Sequence, residues 1–66
     1  MKYTVIIINN NGSMNEFDSN SRDSLKHLRQ NGGNICRVYD KKGEQLSESR
    51  YRDDFGWYRI SSKHFK

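Results

Sequence analysis

The residues that could do covalent chemistry in this chain are few. They are the single cysteine Cys36, the histidines His27 and His64, and the adjacent carboxylates Asp53-Asp54. Nucleophilic catalysis needs a thiolate, a base within hydrogen-bond reach and a group that orients the base. Cys36 sits inside Ile35-Cys36-Arg37-Val38, which reads as a strand, and no local spacing brings a histidine to it. It is expected to pack as a small buried hydrophobe beside Val38. His27 has Asp23 four residues before it, a spacing that makes the two neighbours on a helix surface and reads as a solvated pair. Asp53 and Asp54 are consecutive and precede Phe55-Gly56, so they read as turn residues rather than a converging acid–base pair. One cysteine and two histidines are too few for a four-ligand zinc site, and one cysteine cannot close an internal disulfide. Gly32-Gly33 ends a helix instead of opening one, which is the wrong polarity for a phosphate cradle, and no Gly-rich nucleotide motif is present. The expectation is a non-enzyme with no catalytic residue, no cofactor, no metal and no small-molecule substrate.

Binding chemistry is better represented. Arg50-Tyr51-Arg52-Asp53-Asp54-Phe55-Gly56-Trp57-Tyr58-Arg59 holds four of the eight aromatic residues together with three arginines. Arg, Tyr and Trp are the residue types enriched at binding hot spots, and they also suit base stacking with phosphate contact. Arg50, Tyr51, Arg52, Trp57, Tyr58 and Arg59 are therefore candidates for a hot-spot or nucleic-acid surface. The plainer alternative is that Phe55 and Trp57 fold back over a small core while the arginines lie across them.

Sixty-six residues make one small domain, expected over residues 1–61 with a frayed basic tail at 62–66. The net charge of +4 is largely a property of the chain after the last acidic residue, Asp54, where Arg59, Lys63 and Lys66 follow. Charges before it are interspersed, as on a solvated face. The N-terminal apolar run is short for a signal peptide, and no stretch of about 20 apolar residues is present. The expectation is a cytoplasmic protein without membrane contact, with Cys36 reduced and the Asn11-Gly12-Ser13 sequon incidental.

The elements that must position these residues begin with Val5-Ile6-Ile7-Ile8, four consecutive β-branched residues and the centre of a first strand over 2–9. Asn11-Gly12 predicts a two-residue hairpin turn, which sets Ile6 opposite Phe17 and gives a short, polar edge strand over 14–18. That second segment could instead be loop. Asn20, Ser19 or Ser21 could cap a helix running to about Asn31, with Leu25 and Leu28 as its apolar stripe. Gly32-Gly33 stops it. Strands follow over 34–40 and 44–51, joined by the three-residue loop Lys41-Lys42-Gly43, which places Val38 opposite Leu46 and Cys36 opposite Glu48. Trp57 to Ser61 is a possible fifth strand. The Val38–Glu44 hairpin and the general layout are similar to those of many small bacterial and phage proteins, a likeness that carries no residue role.

The expected fold is α+β, in ββαββ(β) order: an antiparallel or mixed sheet of four or five strands with one helix on one face. In this register Ile6, Ile8, Phe17, Cys36, Val38 and Leu46 meet Leu25 and Leu28. Tyr3, Val5, Ile7, Ile35, Tyr39 and Tyr51 then lie on the other face. Together they would expose more apolar surface than soluble monomers usually carry. They are the candidate protein interface. The expected function is a binding or regulatory module acting through protein contacts, as an adaptor, an inhibitor or a homodimeric accessory protein of phage or mobile-element type. The alternative is a small basic nucleic-acid binder using the Arg50–Arg59 stretch.

Overall fold

The computed structural model of the protein describes residues 2–60. The expected tail over 62–66, the extension of the last strand to Ser61, and His64 lie outside them. The described chain is a small α+β domain of five strands and one helix: β1 (Tyr3–Ile8), β2 (Met14–Ser19), α1 (Ser24–Asn31), β3 (Ile35–Asp40), β4 (Gln45–Arg52) and β5 (Gly56–Ile60). All strand pairs are antiparallel, and the order across the sheet is β2-β1-β3-β4-β5. Met14–Ser19 is a full strand, and the optional fifth strand is a full member of the sheet.

The two hairpin loops have the same form. Asn9 N–H donates to Ser13 O at 2.9 Å and Gly12 N–H to Asn9 O at 3.0 Å. Asp40 N–H donates to Glu44 O at 2.9 Å and Gly43 N–H to Asp40 O at 3.0 Å. Each is a three-residue loop closed by a left-handed glycine, the G1-bulge geometry. The expected two-residue turn at Asn11-Gly12 needs positive φ at both residues. Only Gly12 has it, at +86°. Asn11 instead turns its Oδ1 to accept from Ser13 N–H at 3.0 Å. One extra loop residue slips the register by one, so Phe17 lies opposite Val5 and Glu16 opposite Ile6. A one-residue slip exchanges the faces of a strand.

That slip corrects the expected core. Val5 and Ile7 form it together with Leu28, Cys36 and Val38, all at most 1% exposed; Tyr3, Phe17 and Tyr51 pack against the cluster. Ile6 and Ile8 are on the opposite face, half-buried. A second shift occurs between β3 and β4. Tyr39 pairs with Gln45 but Val38 pairs with Ser47, so Leu46 is the extra residue of a β-bulge. Beyond it Cys36 lies opposite Ser49, not Glu48, and Arg37 lies opposite Glu48. Ser49 and Tyr51 thereby join the helix side.

The helix begins later than expected. Ser19 Oγ accepts from Ser21 N–H at 3.1 Å and Ser21 Oγ from Asp23 N–H at 3.3 Å, so both serines are engaged in local turns. Asp23 is the N-cap, its Oδ1 accepting from Lys26 N–H at 3.2 Å. Where α1 meets β4, Ser24 Oγ and Ser49 Oγ share a hydrogen bond of 2.7 Å, and both residues are buried. Small side chains at that crossing let the helix approach the sheet while their hydroxyls satisfy each other. After α1 the chain turns back across the end of β1. A Cβ on Gly33 would lie 2.6 Å from Ile7 Cγ2 and 2.9 Å from Asn9 Oδ1, and its φ is +97°. Position 33 therefore requires glycine on both conformational and steric grounds.

Candidate functional site

The sheet turns one face to α1 and leaves the other without a second layer among the described residues. The two candidate residue sets are each divided between these faces, because both were read from continuous strands whose side chains alternate. Of the candidate interface, Val5 and Ile7 are fully covered, and Tyr3 and Tyr51 pack against the same core. Only Ile35 and Tyr39 lie on the open face. The expectation that Val5 and Ile7 need an outside partner is overturned by the register of the first hairpin.

The Arg50–Arg59 stretch is likewise divided. Arg50, Arg52 and Tyr58 project to the open side, while Tyr51, Trp57 and Arg59 project to the helix side, following the pairs Arg50↔Tyr58, Tyr51↔Trp57 and Ser49↔Arg59. The three arginines do not share a surface. Asp54 at the β4–β5 turn accepts from Arg52 Nη2 at 3.0 Å, and Phe55 meets Tyr58 edge-on at 5.5 Å.

Two surfaces result. The first is the open face. It carries Ile6, Ile8, Ile35, Tyr39, Tyr58 and Ile60, all half-buried. Set among them is Glu48, a buried carboxylate. Its Oε2 accepts from Arg50 Nε at 2.6 Å and its Oε1 from Gln45 Nε2 at 3.0 Å. Arg37 Nε stands 3.5 Å from Oε1 without hydrogen-bond geometry, and it is the one buried side-chain donor among the described residues without a partner. Glu16 and Asp18 lie on β2 at one margin, where Lys41 Nζ stands 3.1 Å from Asp18 Oδ1; Arg50 and Arg52 lie on β4, inside the edge strand β5.

The second surface is a groove of about 510 Å³ between α1 and β5, lined by Asp23, Leu25, Lys26, Arg29, Gln30, Trp57 and Arg59. The Arg29 guanidinium lies over the Trp57 ring, 5.4 Å from its centroid, and Tyr51 packs against the same ring at 5.1 Å. Arg59 Nη2 donates to Asp23 Oδ1 at 3.0 Å. That hydrogen bond is the main reason the Asp23 carboxyl is held below its ordinary value of 3.8; partial burial opposes it, and the Lys26 amide at the helix cap adds to the lowering. Sequence reasoning found Trp57 and Arg59 but not Lys26 or Arg29. Nothing local relates a helix residue to a strand 28 positions later, and the available signal was only that both arginines fall outside the apolar stripes.

The covalent candidates resolve simply. Cys36 is sealed, and burial pushes its thiol up to about 12, with a smaller contribution from the Asp23 charge. His27 is not a solvated partner of Asp23. It is buried, with its ring edge-on to Phe17 at 5.6 Å. Its Nε2 lies 2.9 Å from Ser21 O; a carbonyl only accepts, so Nε2 carries the proton. Among the described residues no three His, Cys, Asp or Glu side chains gather as metal ligands would. No described helix is long and apolar enough to cross a membrane. Compared with family models, curated proteins and solved structures, the chain matches none.

Proposed function

We propose that the protein is a non-catalytic binding module that works through protein contact, and that the open sheet face is its contact surface, met by a second copy of the chain. The observation that carries this reading is the arrangement of that face: isoleucines and tyrosines of β1, β3 and β5 are left half-buried by a sheet that carries its one helix on the other side. Two copies packed face to face cover these side chains on both, an isologous contact. Five strands about 4.8 Å apart and about six residues long give a face on the order of 400–500 Å² in plan, which belongs to the low end of specific interfaces. The pairing is accordingly weak and concentration-dependent. A cytoplasmic location and the role of adaptor, inhibitor or accessory factor belong to the same reading.

Light scattering across a protein series from about 10 μM to about 1 mM tests it, a range chosen for an interface of this size. The expected result is a mass that rises toward twice the monomer, and a return to the monomer in Ile6→Asp, with unchanged far-UV circular dichroism. A monomer at the highest concentration sinks the proposal.

A further inference from the structure

The two margins of the sheet are unlike. Edge strands present unpaired backbone donors and acceptors, and proteins guard them with charge. β2, at one edge, is guarded by Glu16 and Asp18. β5, at the other, reads Gly56-Trp57-Tyr58-Arg59-Ile60, with one charge in five residues. Among the described residues no strand pairs with its outer side. The groove between α1 and β5 runs along this unguarded edge. Lys26, Arg29 and Arg59 supply three cations there against the single carboxylate of Asp23.

We infer that the β5 edge and its groove take an extended acidic peptide, which adds to the sheet as a sixth strand and sets alternate carboxylates against Lys26, Arg29 and Arg59. Strand addition supplies main-chain hydrogen bonds, and side chains at every second position supply the selectivity. Positions facing the groove meet the cations and the exposed edge of Trp57. Positions facing the other way meet Tyr58 and Ile60. Charge selects the occupant. A second copy adding through its own β5 would bring one basic groove beside another, so self-pairing at this edge is opposed. A single-stranded nucleic acid also carries negative charge, but it gains much of its affinity from stacking on free aromatic faces. Here Arg29 already covers one face of Trp57, Tyr58 is on the far side of the sheet, and Phe55 is turned edge-on to it. This surface is separate from the open face, and its occupation requires no dimer.

Trp57 is the only tryptophan, so its fluorescence reports the groove directly. The probe is a blocked hexapeptide alternating glutamate with threonine, titrated into the full chain. The expected result is a saturable change in emission. Affinity falls at least tenfold in Arg29→Glu and again in Lys26→Glu, both exposed helix positions whose folding is checked by circular dichroism. It also falls at least tenfold when every amide of the peptide is N-methylated, which removes the backbone donors and keeps the side chains. Raising salt weakens it further. Equal binding of the N-methylated peptide overturns the edge pairing. Unchanged affinity in both charge variants overturns the groove assignment. An oligothymidine that binds more tightly than the acidic peptide reassigns the site to nucleic acid, and no saturable change with the acidic peptide overturns the proposal altogether.

Discussion

The two faces of the sheet are built from the same residue types and come to opposite ends. In Val5-Ile6-Ile7-Ile8, Val5 and Ile7 are at most 1% exposed beneath α1, while Ile6 and Ile8 remain half-buried beside a charged cluster. Hydrophobicity does not distinguish them; strand parity does. The helix face satisfies its polar groups internally, as in the Ser24–Ser49 pair, and seals its thiol. The open face keeps its one buried carboxylate between two half-exposed arginines. One face is finished by folding and the other keeps its apolar side chains half-exposed.

The sharpest way to break this comparison is to make the same change on both sides. Ile7→Ala should cost about 2–5 kcal/mol, the usual range for a large-to-small change in a packed core. Ile8→Ala should cost about 1 kcal/mol or less, since a half-buried side chain loses less contact. Chemical denaturation of both variants measures the difference, and equal losses would mean that the two faces are not distinct.

A smaller effect tests the polar contact under the helix. Ser49→Ala strands the Ser24 hydroxyl in a buried site and should cost about 1–3 kcal/mol. Adding Ser24→Ala should recover part of that loss, because no polar group is then left unsatisfied. A double-mutant cycle reads the coupling; additive losses would show that the 2.7 Å contact carries no net energy.

The smallest expected effect is a pH dependence on the helix side. Asp23 is held below its ordinary carboxyl value mainly by Arg59, so its contribution is present above about pH 3.8 and lost as pH falls through the lowered folded-state value. The pair is substantially exposed, which keeps the contribution under about 1 kcal/mol. Arg59→Gln should flatten the acid limb of a stability–pH curve, and a limb identical in slope would remove Asp23 from the account.

Much of the element pattern was legible. The β-branched run, the Gly32-Gly33 stop and the Lys41-Lys42-Gly43 loop each carry a local physical cause, and each is where the sequence indicates. Parity was not legible. Asn10-Asn11-Gly12 is compatible with a two-residue or a three-residue loop, and the choice between them reverses every side chain of β1 relative to β2. The bulge at Leu46 has no glycine or other mark, so the positions of Glu48 and Ser49 could not be read either. The candidate sets were therefore lists of the right strands sorted onto the wrong faces. The α1–β5 groove was half-visible: Trp57 and Arg59 stood out by composition, whereas Arg29 acquires its meaning only when the helix docks.

Consecutive strands form every pair in the sheet except one. β1 joins β3 across the helix, so the molecule is a hairpin and a three-strand meander stitched along a single seam. Both pieces close short loops at small entropic cost, whereas the seam brings together residues about thirty positions apart. The pairs Val5–Val38 and Ile7–Cys36 lie on that seam, and Leu28 completes the buried cluster with them. Assembly of the chain is thus gated by one long-range event, in which the seam zips and the helix docks together. A chain stopped at residue 33 would keep β1 paired with β2 along one edge and leave its other edge bare.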